Sequence, residues 1–135
     1  TVIVSSFFAR AIESAEIAAE ILKVQSSVIP EGELRERWFG DFEKTKNQNY
    51  KKVWEEDAIN PSHNYRGVES AVQVQKRVTL SVKFLERTFF ARKILLVSHG
   101  DALQILQTGF AKQSPAMHRQ IKHLEVAEIR ELKLF

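Results

Sequence analysis

Residues 93–101 read Lys-Ile-Leu-Leu-Val-Ser-His-Gly-Asp, and this stretch decides the fold. Its four consecutive branched apolar residues are typical of a strand buried on both faces, as in a parallel sheet covered by helices. The polar triplet that follows would lie at the C-terminal edge of that strand, where open α/β sheets bind their ligands. His99 would then precede a helix N-terminus, whose unpaired N–H groups attract anions. The alternative is a histidine that merely caps the strand.

The rest of the chain alternates between strand and helix patterns. Val2-Ile3-Val4 predicts a strand, and Val28-Ile29-Pro30 predicts a short edge strand closed by its proline. Helices are predicted over residues 9–24, 68–90 and 102–110, and one or two strands over residues 124–134. This order predicts an α/β fold, a three-layer sandwich in which helices cover both faces of a mainly parallel sheet.

Two of the predicted helices carry an apolar stripe. The stripe of the first helix consists of Ala11, Ala15, Ala18 and Leu22, widened by Ile17 and Ile21. The stripe of the long helix consists of Val74, Val78, Val82, Leu85 and Phe89. Spacings of three and four residues bring side chains to one helix face, so we expect both stripes to pack in the core.

Residues 31–66 have no regular pattern. They mix charged and aromatic side chains near Trp38, become strongly polar over residues 44–49, and include turn chemistry around Pro61. A short helix is predicted around residues 50–57. Long loops in compact domains often cover a functional site. We therefore expect residues 31–66 to form an insertion or lid over the site, within a single domain that spans residues 1–135.

The composition argues against several classes of function. The 135 residues suit one domain, and no apolar run approaches the ~20 residues that a membrane span needs. The chain lacks cysteine and a secretory signal, which is compatible with the cytoplasm. A net charge of +3 with interspersed signs gives little reason to expect nucleic acid as a partner. His118 and His123 are five residues apart, on different faces of a helix, so we expect no metal site.

Three local clusters could carry chemistry. Arg10 stands at a helix start after a strand end, where a guanidinium can grip phosphate or carboxylate with two hydrogen bonds; the alternative is an ordinary surface arginine. Glu36 lies near Trp38 and Phe39, where lost hydration would raise its pKa and suit a general acid; the alternative is a solvated loop acid between two arginines. Ser98 and His99 are adjacent on a strand and point to opposite faces, which argues against a serine hydrolase pair.

These clusters resemble, in order, the motifs of the histidine phosphatase superfamily, also called phosphoglycerate-mutase-like. Residues 4–17 resemble its Ser-Ser segment with Arg-Ala, and residues 34–43, Leu-Arg-Glu-Arg-Trp-Phe-Gly-Asp-Phe-Glu, resemble its acid-bearing loop. Residues 67–70 resemble a Gly-Glu-Ser start, residues 97–100 match the second catalytic histidine motif, and residues 124–129 resemble the closing strand. The five matches span nearly the whole chain.

The resemblance implies roles for five residues. His99 and Glu36 would be catalytic: His99 would donate hydrogen bonds to the phosphoryl oxygens, and Glu36 would protonate the leaving oxygen and later activate water. Arg10 would bind the transferred phosphoryl group, Arg37 would touch the acidic tail of the substrate, and Gly100 would take part in phosphate binding. No metal or other cofactor is implied, because imidazoles and arginines supply the positive charge.

One family feature does not occur in the sequence. The family's nucleophile is a histidine in an Arg-His-Gly motif at the end of the first strand, and no such motif occurs in these 135 residues. His63, His118 and His123 lack that context. We therefore expect the chain to be the larger part of a longer parent, with the first strand and the nucleophile missing.

Several functions remain open at this point. The leading one is that the parent is a phosphomonoester hydrolase, a phosphatase working through a phosphohistidine on a phosphorylated small molecule or phosphoprotein, and that this chain alone is inactive. The alternative is an inactive phosphate-binding or protein-interaction module. Phosphoglycerate mutase is less favoured, because no feature of the insertion suits a bisphosphoglycerate cofactor. A homodimer through exposed sheet edges would be compatible with each of them.

Overall fold

The structure is a computed structural model that describes residues 1–132. Its strands are β1 (Val2–Ser5), β2 (Ile29–Pro30) and β3 (Ile94–Val97). Its helices are α1 (Ala9–Ile21), α2 (Tyr50–Ile59), α3 (Ala71–Thr88) and α4 (Gly100–Phe110). The fold is α/β, with a parallel sheet flanked by helices, as predicted. No helix among residues 1–132 has the length and apolarity that a membrane crossing requires.

The three strands form one parallel sheet in the order β2-β1-β3. Val4 is paired with Ile29 on one side and with Leu96 on the other. Ser5 is paired with Val97, so β1 and β3 end side by side. The residues that follow these two strands therefore meet at one edge of the sheet, which is the edge where parallel sheets bind ligands.

The strand buried on both faces is β1 and not β3. All four residues of β1 are buried, whereas those of β3 are only half-buried. The prediction that residues 94–97 are buried on both faces was wrong, because β3 has a neighbouring strand on one side only among residues 1–132. An apolar run predicts a strand, but its burial depends on neighbours that are distant in sequence.

The chain divides into two compact units. The first contains residues 1–36 and 80–99, and the second contains residues 37–79 and the chain from residue 100 onward. The core of the first unit consists of Val2, Val4, Leu34 and Leu85, surrounded by Ile29, Phe89, Ile94 and Leu96. A core of the second unit consists of Phe39, Val53 and Val68, with Phe42 and Tyr50 against it. Each large apolar side chain buried in these cores stabilises its unit by about 1.5–3 kcal/mol.

The apolar stripe of α3 is confirmed for Val74, Val78, Val82 and Leu85, which are all buried, and Phe89, just past the helix end, is half-buried against the core of the first unit. The stripe of α1 was only partly right. Its Ala11 and Ala15 are buried, whereas Ile17, Ile21 and Leu22 are each more than half exposed. Ile17 lies two residues beyond Ala15, about 200° around the helix, and Leu22 lies past the helix end. The buried face of α1 is therefore narrow and built from alanine.

Residues 124–132 form no strand, contrary to the prediction for the tail. A turn replaces the strand: Glu128 N–H donates to the carbonyl of Glu125, and Glu125 N–H donates to the Glu128 carboxylate. Arg130 binds the same carboxylate at 2.8 Å. These local hydrogen bonds compete with strand pairing and leave Val126 almost fully exposed. The remaining predicted residues, 133 and 134, lie outside the described residues.

Candidate functional site

Three side chains of the first unit meet where β1 and β3 end. His99 follows β3 and is buried, and its Nε2 lies 2.8 Å from Ser6 Oγ, just beyond the end of β1. Its Nδ1 lies 3.4 Å from Nη2 of Arg10, the second residue of α1. The paired ends of the two strands thus bring Arg10 and His99 together, although 89 residues separate them in sequence.

The two contacts of the His99 ring assign its tautomer. A guanidinium can only donate, so Nδ1 is assigned as the acceptor from Arg10, which corresponds to an imidazole with its hydrogen on Nε2. Nε2–H then donates to the Ser6 hydroxyl oxygen, which also accepts from Phe8 N–H at 3.3 Å. An oxyanion placed between Arg10 and His99 could accept hydrogen bonds from both, once the imidazole takes up a proton.

Phe8 borders this pair. Its ring meets the His99 ring edge-on, with centroids 5.0 Å apart, and the Arg10 guanidinium lies 5.5 Å from its centroid. A ring in this position attracts the guanidinium through its π face and contacts the imidazole through its edge. Phe8 therefore helps to hold the side chains of Arg10 and His99 next to each other.

Glu36 lies half-buried at the end of a loop that is fastened to the same strand end. The Ser98 hydroxyl donates to the carbonyl of buried Leu34 at 2.6 Å. Ser98 precedes His99, and Leu34 lies two residues before Glu36, so this bond holds the acid-bearing loop beside the histidine segment. That Glu36 shares one ligand with Arg10 and His99 stays a prediction.

The second unit holds a buried polar network that the sequence did not reveal. Its centre is Asp57 on α2, which accepts hydrogen bonds from Arg37 Nη1 at 2.7 Å and Nη2 at 2.8 Å. His63 Nε2 and His118 Nε2 donate to the same carboxylate at 2.7 and 2.8 Å. Asp57, Arg37 and His118 are almost completely inaccessible to solvent. The carboxylate is thus paired through both of its oxygens, as a buried charge requires.

These partners determine the charge state of Asp57. Burial on its own would raise the pKa of the carboxyl, but hydrogen bonds from Arg37 and His118, together with their charges, hold that pKa well below its usual range. His63 Nδ1 accepts from the N–H of Tyr65, so this ring is neutral and donates through Nε2. The network is therefore built around an ionised Asp57.

Arg37 is a structural cation in this geometry. Besides Asp57, it binds the carbonyl of Glu69 through Nε at 2.8 Å and the carboxylate of Asp101 through Nη1 at 3.3 Å. Its side chain has no exposed surface. The structure thus gives no support to a contact between Arg37 and the acidic tail of a substrate, and that role stays a prediction.

Gly100 begins α4 and is exposed. A Cβ added there would have no atom within 4 Å, so its glycine is not required by packing. Its role in phosphate binding stays a prediction. Among residues 1–132, no group of three or more histidine, aspartate or glutamate side chains is arranged to hold a metal ion.

Sequence reasoning missed Asp57, His63 and His118. His63 is six residues from Asp57, but His118 is 61 residues away, beyond a short turn at Pro115–Met117. Asp57 belongs to a polar helix whose pattern favours exposure. The only local signal is the pair Asp57 and His63, and that spacing alone is too common to indicate a buried network.

A family model described as "Histidine phosphatase superfamily (branch 1)" matches residues 1–134. The chain belongs to this superfamily. The resemblance inferred from the sequence motifs is therefore confirmed. None of the curated proteins compared with the chain matches it.

Solved structures share the fold of this histidine phosphatase superfamily member. A phosphoserine phosphatase mutant from Entamoeba histolytica is 21% identical, with a TM-score of 0.74, and the match covers 90% of this chain and 62% of that one. A mycobacterial glucosyl-3-phosphoglycerate phosphatase is 23% identical, with a TM-score of 0.70 and coverages of 91% and 64%. The α-ribazole phosphatase from Shigella flexneri is 20% identical, with a TM-score of 0.64 and coverages of 88% and 60%. The chain thus spans about three fifths of the length of these structures.

Proposed function

We propose that this member of the histidine phosphatase superfamily is a phosphomonoester hydrolase in which Arg10 and His99 bind the phosphoryl group. The observation that carries the proposal is the 3.4 Å distance between Arg10 Nη2 and His99 Nδ1 at the ligand-binding edge of a parallel sheet. Two nitrogens at that distance can donate to different oxygens of one phosphate. The fold shared with several phosphatases supports this reaction class.

The charge and the ionisable group of each side chain determine its proposed role. Arg10 and a protonated His99 would stabilise the negative charge that develops on the phosphoryl oxygens. Glu36 would protonate the leaving oxygen and then remove a proton from the attacking water. A phosphorylated small molecule or a phosphoprotein would be the substrate.

The proposed phosphohistidine step needs a further imidazole as nucleophile. His63 and His118 do not suit this role, because both donate to Asp57 through Nε2. No Arg-His-Gly motif occurs in these 135 residues. We therefore assign the nucleophile to no residue of this chain.

The decisive experiment measures phosphate and vanadate binding by calorimetry on the full chain and its Arg10→Ala and His99→Ala variants. Each loses a charge-assisted hydrogen bond, so we expect affinity to fall about 10- to 100-fold. Arg87→Ala, an exposed arginine of the same unit, is the matched control and should stay within about twofold. Affinities of both site variants that equal the control would overturn the assignment.

A second candidate function is a phosphate-binding module without turnover. The observation that favours it is the lack of an Arg-His-Gly motif in the sequence. Binding without hydrolysis by this chain is expected of both functions, because the phosphatase proposal assigns the nucleophile to no residue of the chain. Hydrolysis of p-nitrophenyl phosphate by a longer chain that carries an upstream Arg-His-Gly strand separates them: hydrolysis that His99→Ala abolishes would reject the module, whereas binding without hydrolysis would favour it.

A homodimer in the cytoplasm is proposed as the setting of this activity. The carbonyls of Lys93 and Val97 accept from N–H groups of Val2 and Ser6, so the backbone groups of residues 94 and 96 face away from β1. Such an edge can pair with a second copy. Analytical ultracentrifugation tests this, and a single monomeric species at high protein concentration would contradict it.

A further inference from the structure

We propose that Ser98 and the Asp57 network are positioning elements that hold the loop of Glu36 beside the segment of His99. The inference rests on the proposed function, because it gives both elements a purpose in arranging the acid and the phosphate-binding imidazole. Neither element touches the reacting atoms in this assignment. Both act through the backbone that carries Glu36 and His99.

The first anchor lies within the first unit. Ser98 Oγ donates to the Leu34 carbonyl at 2.6 Å, a short bond for a hydroxyl donor. Leu34 is itself held in the core against Val2, Val4 and Leu85. The bond therefore fixes the chain two residues before Glu36 to the residue that precedes His99.

The second anchor lies within the second unit. Arg37 Nη1 binds Asp101 Oδ2 at 3.3 Å, and Trp54 Nε1 donates to both oxygens of Asp101 at 3.1 Å. Arg37 directly follows Glu36, and Asp101 lies two residues after His99. This bond fixes the chain immediately after Glu36 to the chain shortly after His99.

Asp57 makes the second anchor rigid. It holds both Nη atoms of Arg37 in a two-bond pairing and is itself held by His63 and His118. A guanidinium held in this way has one orientation, so Arg37 loses little further conformational entropy when its Nη1 binds Asp101. Glu36 and His99 are thus each bracketed by anchored residues, Leu34 and Arg37 on one segment and Ser98 and Asp101 on the other.

These hydrogen bonds differ from ordinary stabilising contacts in where they lie along the sequence. Buried ion pairs rarely add much net stability, since desolvation offsets their attraction. These bonds instead join two short segments, residues 34–37 and 98–101, at points next to the predicted acid and imidazole. Small displacements of catalytic groups are costly, so a double anchor there has a functional value that a surface pair lacks.

The test compares Ser98→Ala and Asp57→Asn in the full chain with two matched controls. Thr88→Ala removes another hydroxyl-to-carbonyl bond of the first unit, and Val53→Ala weakens the core of the second unit on the same helix as Asp57. Amide hydrogen exchange at residues 35–37 and 99–101 reports the local order. Calorimetry with inorganic phosphate measures the affinity of the site, which falls when the site is misaligned.

We expect Ser98→Ala and Asp57→Asn to speed exchange in these two segments by about tenfold or more and to weaken phosphate binding by about tenfold, unlike either control. Exchange and affinity that match the controls would overturn the inference. If Asp57→Asn fails to fold, Ser98→Ala decides alone. If the unaltered chain does not bind phosphate, the proposed function fails. The exchange data still show whether Ser98 and Asp57 order the two segments.

Discussion

At the scale of single residues, Arg10 and His99 have opposite environments although they touch. His99 is buried, whereas Arg10 is exposed and reaches the ring from the start of α1. In the neutral imidazole Nδ1 accepts from the guanidinium, so this nitrogen can donate to an anion only after it takes up a proton. The proposed binding of an oxyanion by this pair therefore requires the imidazolium form of His99.

The geometry of the guanidinium leads to a prediction for Arg10→Lys. The ammonium keeps the charge but loses the planar pair of donors that matches two phosphate oxygens, so we expect phosphate affinity to fall by about tenfold. Isothermal titration calorimetry of the variant beside Arg10→Ala measures this. A lysine variant that binds phosphate as well as the unaltered chain would show that only the charge at this position matters.

Residues next to strand ends could be predicted from sequence, whereas the buried network could not. Arg10 and His99 follow apolar runs directly, so their arrival at one sheet edge is a consequence of parallel pairing. Asp57 and His118 are joined by no repeat or spacing, and they meet because separate turns of the second unit converge. The burial of Arg37, two positions before the aromatic Phe39, is likewise a property of its partners and not of its neighbours in sequence.

At the scale of elements, Gly40 shows where the backbone constrains the choice of residue. Its φ is +54°, a left-handed conformation that costs other residues about 1–2 kcal/mol. A Cβ at this position would also overlap the backbone of Arg66, Gly67 and Val68. The turn at Gly40–Phe42 therefore packs directly on the turn at Tyr65–Gly67.

We predict that Gly40→Ala lowers the free energy of unfolding by about 2–4 kcal/mol, since the strain and the backbone overlap add together. Urea denaturation followed by circular dichroism measures it. Gly100→Ala is the control: its Cβ meets no atom within 4 Å, so its effect should stay within about 0.5 kcal/mol. Equal stabilities of the two variants would contradict the close approach at Gly40.

Helices were easier to predict than the environment of strands. The stripe of α3 is specified by spacing within one segment, and four of its five members are buried as expected, while Phe89 is half-buried. The burial of β3 and the fate of residues 124–132 depend on partners elsewhere in the chain or on competing side-chain hydrogen bonds, as at Glu128. The hydrophobic period and the composition of a segment encode neither the burial of a strand nor such competing hydrogen bonds.

At the scale of the whole molecule, the buried ion pair makes stability depend on pH. The pKa of Asp57 is lowered in the folded protein, chiefly because hydrogen bonds from Arg37 and His118 outweigh the effect of burial. A carboxyl group whose pKa is lower in the folded protein than its unfolded value of about 3.9 stabilises the fold at every pH above about 3.9. This contribution is lost as the pH falls from there towards the folded pKa.

The corresponding prediction concerns Asp57→Asn measured across pH. Near pH 7 the variant leaves the buried Arg37 with a weakened counter-charge, so we expect a loss of about 3–5 kcal/mol in the free energy of unfolding. Below about pH 4 the unaltered chain progressively loses the same carboxylate charge, and the difference between the two proteins should shrink. Urea denaturation at pH 7, 5, 4, 3 and 2 measures it, with exposed Asp41→Asn as control. A difference that stays constant over this range would mean that Asp57 stabilises the fold through its shape and hydrogen bonds alone, because the sign of its pKa shift requires the charge-dependent part to vanish in acid.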